Sequence, residues 1–145
     1  MATPTYKGSC SCGAIQIEVK GDPAHVALCH CLNCHKTTSS TYSTNWVVLR
    51  PNFTVTKGEP TTYEALGGSG TKAKRQFCNQ CSCTMWTESP LFGAVVVVKA
   101  GVMDDGAFEK FKPASETFVS RKPAWVPCID GAAQFAEAFQ APKEE

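Results

Sequence analysis

The sequence has 145 residues, of which 43% are hydrophobic, so we expect one domain across residues 1–145 with an apolar core of its own. The formal net charge is +1 and the basic residues form no stripe, which argues against nucleic acid as a partner. No apolar run reaches the ~20 residues of a membrane span, and the N-terminus lacks the apolar segment of a secretory signal, so we predict a cytoplasmic protein without a membrane partner.

The residue pattern along the chain predicts a mainly β protein. Apolar and polar residues alternate over residues 14–19, which is typical of a half-buried strand. Further strands are predicted at residues 25–28, 42–49, 53–57, 61–65, 74–77, 84–86, 94–99 and 117–119. Gly, Pro and Asn separate these runs, and many short strands with frequent turns favour an all-β sandwich or an open barrel.

Two helices are predicted between these strands and at the end of the chain. Residues 131–139 are predicted to be helical, because Ala132, Phe135, Ala136 and Phe139 share one face when read with the 3.6-residue period of a helix. A second short helical turn is expected over residues 32–37, directly after a cysteine motif. The glycine-rich segment 67–70 is expected to be the most flexible part of the chain, and residues 142–145 are expected to be frayed.

The nine cysteines are the most informative feature, because eight of them fall into three groups with spacing typical of metal ligands. The groups are Cys10-x-Cys12, Cys29-x-Cys31-x-x-Cys34 and Cys78-x-x-Cys81-x-Cys83, while Cys128 stands alone. In a reducing compartment such groups indicate a metal site rather than disulfides, and zinc is the usual ion for sulfur ligands. Eight thiols exceed one four-coordinate site, so either two sites exist or one site leaves thiols for another task.

Two of the groups each offer a pair of thiols from distant parts of the chain. Cys10, Cys12, Cys78 and Cys81 together predict a closed site with four cysteines, which is the usual arrangement of structural zinc. Such a site stabilises small domains by about 10 kcal/mol or more.

The middle group differs, because Cys29, Cys31 and Cys34 supply three thiols within a few residues. Three protein ligands with an open fourth position are how catalytic zinc is normally held. A second closed structural site is the alternative, with its fourth ligand taken from this set: Cys83, His30, His35 or Cys128. Where they bind no metal, Cys83 and Cys128 are expected to be packed thiols.

The three cysteine motifs together resemble those of a known family. They read, in chain order, Gly8-Ser-Cys-Ser-Cys-Gly13, Cys29-His-Cys-Leu-Asn-Cys-His-Lys36 and Phe77-Cys-Asn-Gln-Cys81. The family is that of the glutathione-dependent formaldehyde-activating enzymes, which includes centromere protein V, and the resemblance covers nearly the whole chain. It implies a β-tent fold of packed antiparallel sheets with two Zn²⁺ ions per chain. A structural zinc would lie on Cys10, Cys12, Cys78 and Cys81, and a catalytic zinc on Cys29, Cys31 and Cys34.

The resemblance also implies that a carbon–sulfur bond forms or breaks between formaldehyde and a small thiol, possible candidates being glutathione and related thiols. Zinc with an open position lowers the pKa of a bound thiol. Three thiolate ligands mute its Lewis acidity, which suits a carbon–sulfur lyase acting on an adduct such as S-hydroxymethylglutathione. His30 and His35 are the titratable candidates for proton transfer. The second hypothesis is a non-catalytic zinc module that binds a protein or a nucleic acid, and a fourth protein ligand at the second site would favour it.

A pocket is expected beside the second zinc. Its predicted lining consists of residues 33–38 together with Trp46 or Trp86. Glutathione would also need cations for its carboxylates, and the sequence offers this set of candidates: Lys36, Lys72, Lys74, Arg75 and Arg121.

Overall fold

The computed structural model describes residues 2–66 and 70–139, and most of its regular structure is β-strand. The strands are β1 Thr5–Ser9, β2 Gln16–Lys20, β3 His25–Cys29, β4 Ser43–Leu49, β5 Phe53–Lys57, β6 Thr61–Leu66, β7 Lys72–Phe77, β8 Thr84–Glu88, β9 Val95–Lys99, β10 Ser115–Thr117 and β11 Ala133–Gln134. Two short α-helices, α1 Leu32–Thr38 and α2 Ala107–Lys110, are accompanied by 3₁₀ turns at Arg50–Asn52, Pro90–Phe92, Ala100–Val102 and Val119–Arg121. Within the described ranges, no helix is both long and apolar enough to cross a membrane.

The strands form two sheets. The smaller sheet has the order β1-β2-β5 and is antiparallel throughout. The larger sheet has eight strands in the order β11-β10-β3-β4-β9-β8-β7-β6, in which only β10 pairs parallel with its neighbours β3 and β11. This arrangement confirms the prediction of a mainly β fold built from packed, largely antiparallel sheets.

The core lies between the two sheets because alternate residues of their strands are apolar. Ile17 and Val19 from the small sheet and Trp46 and Val98 from the large sheet are fully buried in one continuous cluster. Tyr6 and Phe111 close this cluster with edge-on contacts to Trp46, at ring-centroid distances of 5.8 and 5.3 Å. The core therefore fixes the relative position of the two sheets, and with it the loops that carry the cysteines.

Most of the predicted elements are present with small changes at their ends. The helix predicted after the second cysteine motif is α1, and the strand predicted at 53–57 is β5. The prediction overlooked β1, whose alternation is concealed by Lys7 and Gly8. The strand predicted at 117–119 lies two residues earlier, at β10, because Phe118 adopts a left-handed backbone with φ of 54° and ends the strand.

The helix predicted at residues 131–139 is wrong, because this segment forms a turn, a two-residue strand and bends instead. Ala133 and Gln134 pair with β10 as the edge strand β11, and the Phe135 N–H donates to the Glu116 carbonyl at 2.9 Å. Backbone pairing with an open sheet edge thus replaces the internal hydrogen bonds of a helix, and tertiary context overrides a weak local preference. The predicted flexible segment 67–70 lies outside the described residues except for Gly70, and the predicted frayed end at 142–145 lies outside them entirely.

Candidate metal centres

Cys10, Cys12, Cys78 and Cys81, here called the four-cysteine group, meet between the two sheets. Cys10 follows β1 of the small sheet and Cys78 follows β7 of the large sheet. All four sulfur atoms lie within 4.8 Å of one another, and two of the distances, Cys10 to Cys12 and Cys12 to Cys78, are 3.7 Å. Four sulfurs at the Zn–S distance of about 2.3 Å form a tetrahedron with edges of about 3.8 Å. The residues therefore fit a tetrahedral zinc ion.

Backbone N–H groups in two tight turns support these sulfurs. The N–H of Ile15 donates to Cys10 Sγ at 3.3 Å, and the N–H of Gln80 donates to Cys78 Sγ at 3.4 Å. Backbone N–H groups of Cys83 and Cys12 lower the pKa of Cys81 to about 6. Because thiolates rather than thiols bind metal, this lowered pKa favours the ligating form.

Cys29, Cys31 and Cys34, here called the three-cysteine group, lie where β3 passes into α1. Cys29 ends β3, and Cys31 is the N-cap of α1, with its sulfur accepting from the Cys34 N–H at 3.3 Å. The three sulfur atoms lie within 4.8 Å of one another. In the part of the chain that the structure describes, no other His, Cys, Asp or Glu contributes a fourth atom to this group. The geometry brings three thiols together at spacing that could hold a metal ion, with no fourth ligand of these types from the described residues.

Polar residues from the neighbouring strands surround Cys34. The buried Ser43 hydroxyl donates to Cys34 Sγ at 2.9 Å. Lys99 Nζ lies 3.5 Å from the Ser43 hydroxyl oxygen. Hydrogen bonds from Cys29 and Cys31 are the main reason why the pKa of Cys34 falls to about 2. The Lys99 charge and the Ser43 hydroxyl act in the same direction, while hydrogen bonds with Cys31 and Cys34 raise the pKa of Cys29. Cys34 is therefore the first thiol of the group to ionise.

A cavity of about 370 Å³ is connected to the three-cysteine group through Ser43, which lines the cavity and whose hydroxyl donates to Cys34 Sγ. None of the three cysteines lines it. Thr37 and Thr38 of α1, Ser43, Lys99 and Cys83 contribute to its wall. Two members of the predicted lining 33–38 are therefore present. Trp46 and Trp86 were predicted to line this pocket and do not, since they are 0% and 3% exposed in the core.

The two histidines of the second motif occupy different surroundings. His30 is fully buried, and its Nε2 lies 2.8 Å from Oε1 of Glu116, which is also fully buried. His35 lies on α1 and is partly exposed, although its Nε2 is covered and has no hydrogen-bond partner among the described residues. Neither ring belongs to the three-cysteine group, so their predicted role in proton transfer stays a prediction.

The remaining two cysteines lie outside both groups. Cys83 is partly buried beside the core and in the cavity wall, in agreement with a packed thiol. Cys128 is exposed rather than packed, and its sulfur accepts from Lys122 Nζ at 2.8 Å.

Sequence reasoning overlooked Ser43 and Glu116, which contact the second motif from other strands. It also overlooked Asn45 and Lys99, which contact Ser43. The cation in the cavity wall is Lys99, which was not among the predicted cations. Lys99 is the charged residue at the end of the apolar run of β9, and this position in the sequence could have identified it.

Comparison with known proteins agrees with this arrangement. The sequence model of the glutathione-dependent formaldehyde-activating enzyme family matches residues 5–121, which include all three cysteine motifs. The chain belongs to this family. A Halomonas elongata protein that is provisionally named a glutathione-dependent formaldehyde-activating enzyme is 27% identical over 124 residues, covering 83% of this chain and 78% of that protein.

A solved structure shows the same fold. The crystal structure of a Rhodobacter sphaeroides protein superposes with a TM-score of 0.57 at 23% identity. The match covers 77% of this chain and 99% of that one. At this identity the likeness concerns the fold alone.

Proposed function

We propose that this family member is a zinc-dependent carbon–sulfur lyase that acts on a small thiol adduct such as S-hydroxymethylglutathione. One observation carries the proposal: three converging thiols have no fourth His, Cys, Asp or Glu ligand among the described residues, and Ser43 links Cys34 to a cavity of about 370 Å³. Three protein ligands with an open position are the arrangement of catalytic zinc. Family membership supports glutathione and formaldehyde as the reaction partners.

We further propose two Zn²⁺ ions per chain with different tasks. The four-cysteine group would hold a structural ion, since all four ligands come from the protein. The three-cysteine group would hold the second ion, which when bound would supply a site for a substrate sulfur and stabilise it as a thiolate. The lowered pKa of Cys34 means that this group offers an ionised ligand.

The proposed reaction needs no oxidant or reductant. In the cleavage direction the carbon–sulfur bond of a hydroxymethyl thioether breaks, and its electron pair stays on sulfur. The hydroxyl proton leaves as the carbon–oxygen double bond of formaldehyde forms, and the products are a thiol and formaldehyde. The reverse direction uses the same atoms.

The chain's own residues would bind and orient the substrate in the cavity. Lys99 supplies a positive charge in the cavity wall, which suits the carboxylates of a thiol such as glutathione. Of the two histidines, His35 is the better candidate for moving the hydroxyl proton. His30 is fully buried and its Nε2 is bound to Glu116, whereas His35 is partly exposed.

The test combines a metal count with access of a thiol to the metal. Elemental analysis of zinc-replete protein should give two ions per chain, and Cys31→Ser should remove one of them. A protein carrying cobalt at the three-cysteine group should change its visible spectrum when glutathione is added, because a new sulfur ligand enters the metal's coordination sphere. Cys128→Ser is the matched control, since Cys128 is an exposed thiol outside both groups.

Turnover can be measured directly by following the exchange between S-hydroxymethylglutathione and its products by NMR. Wild-type protein should accelerate the exchange, and Cys31→Ser should abolish that acceleration. An unchanged cobalt spectrum, together with a fourth protein ligand at the second site, would favour the non-catalytic zinc module instead.

A further inference from the structure

A row of polar residues crosses the centre of the large sheet beside the three-cysteine group. In the sheet register Cys29 of β3 lies opposite Ser43 of β4, and Asn45 of β4 lies opposite Lys99 of β9. Ser43 and Asn45 are only 2% and 8% exposed. Burying polar groups costs free energy unless hydrogen bonds compensate, so this row calls for an explanation beyond the stability of the sheet.

The contacts in this row run in one direction, from Lys99 to a cysteine sulfur. Lys99 Nζ donates to Asn45 Oδ1 at 3.0 Å and lies 3.5 Å from Ser43 Oγ. The Ser43 hydroxyl has one proton, with Asn45 Oδ1 at 3.1 Å and Cys34 Sγ at 2.9 Å as possible acceptors. The contact to the sulfur is the shorter of the two although sulfur is the larger atom, so the hydroxyl proton is best placed on the sulfur.

Neutralisation of charge at the three-cysteine group can explain this chain of contacts. Three thiolates and one divalent ion carry a net charge of −1, in a site where Cys34 is only 8% exposed. The Lys99 ammonium supplies the opposite charge on the same side as Cys34. The four-cysteine group differs, because its Cys12 is exposed to solvent, whereas no cysteine of the three-cysteine group is.

We propose that Ser43, Asn45 and Lys99 are positioning residues for metal binding by the three-cysteine group, with Lys99 neutralising the metal–trithiolate charge and Ser43 fixing the Cys34 sulfur. This inference rests on the proposed function, since it requires metal at that group. A hydrogen bond to a ligating sulfur withdraws electron density from it, and such outer partners typically change metal affinity about 10–100-fold. The metal then keeps its capacity to accept a fourth sulfur ligand.

The experiment uses full-length protein with zinc at the four-cysteine group and cobalt at the three-cysteine group. Cobalt affinity is measured by competition with a chelator, and the sulfur-to-cobalt charge-transfer band is recorded for each variant. Lys99→Met and Ser43→Ala should weaken cobalt binding about 10–100-fold and shift the band. Lys99→Arg keeps the charge and should recover most of the affinity. Lys57→Met removes an exposed lysine elsewhere and should change neither quantity.

The possible failures can be told apart. Wild-type protein that binds no metal at the three-cysteine group would overturn both the proposed function and this inference. Wild-type protein that binds there, with unchanged affinity and band in Lys99→Met and Ser43→Ala, would overturn the inference alone. Thermal melts identify a variant that fails to fold, and in that case Ser43→Ala decides, because it removes only one hydroxyl. A merely structural role would lower the melting temperature without shifting the band.

Discussion

Replacing one ligand in each cysteine group should affect stability very differently. Cys78→Ser removes a ligand that joins segments 66 residues apart, as measured from Cys12 to Cys78. Cys31→Ser removes a ligand from a group in which Cys31 and Cys34 are only three residues apart. Serine is a good N-cap residue, so the second substitution leaves the start of α1 capped and does not confuse loss of metal with loss of the helix.

The difference can be estimated from the length of the loop that each metal closes. The chain-entropy relation for a cross-link gives about 4 kcal/mol for a loop of 66 residues and about 2 kcal/mol for a loop of three. Cys78→Ser should therefore cost at least about 2 kcal/mol more than Cys31→Ser, which is roughly 5–10 °C in melting temperature for a domain of this size. The burial of Cys78, which is 1% exposed, adds to its cost.

The comparison is made by thermal and urea unfolding of zinc-replete protein under reducing conditions. Cys128→Ser is the control for loss of a thiol as such, because Cys128 is exposed and lies outside both groups. Equal and large losses of stability in Cys78→Ser and Cys31→Ser would refute the reasoning, and would show that both groups are structural.

Three further predictions follow from the buried groups. Glu116→Ala should cost about 3–5 kcal/mol in urea unfolding, because the buried carboxylate accepts from His30, the Ile129 N–H and Gln134. Burial raises the pKa of Glu116, but its hydrogen bonds outweigh burial, and the net pKa is lowered from the usual value of 4.5. The ionised carboxylate therefore stabilises the fold fully above pH 4.5, and this stabilisation is lost as the pH falls through the lowered pKa. Wild-type stability should thus fall more steeply than that of Glu116→Gln between about pH 5 and pH 3; parallel slopes would contradict this. Trp46→Ala should cost about 3–5 kcal/mol in the same assay while leaving two metals per chain, since Trp46 is fully buried away from both groups.

Local patterns in the sequence were sufficient for most of the fold. Alternation predicted β2, and the apolar run of β9 predicted a central strand, because each pattern is typical of burial on one or both faces. The edge strand β11 could not be predicted in this way. Its residues carry a helical period, and only the position of β10 in the folded sheet makes an extended conformation favourable.

The cysteine groups could be predicted for a similar reason, since ligands in one turn are close in the sequence as well as in space. The partners of those cysteines are different. Ser43 and Lys99 reach Cys34 only through the pairing of β3, β4 and β9. Glu116 reaches His30 because β10 lies beside β3. No local pattern contains this register, so the sequence predicted the two cysteine groups without their hydrogen-bond partners.

The two cysteine groups differ most in what they connect. The four-cysteine group receives Cys10 from the end of β1 and Cys78 from the end of β7, so a metal there ties the small sheet to the large one. The three-cysteine group takes all its sulfurs from the continuous segment 29–34, and a metal there ties no distant elements together. Its surroundings are instead a lysine, a buried hydroxyl and a cavity. The three-cysteine group adds little to the connectivity of the fold and has buried polar groups around it, which supports its proposed catalytic role. The connections made by the four-cysteine group support its proposed structural role.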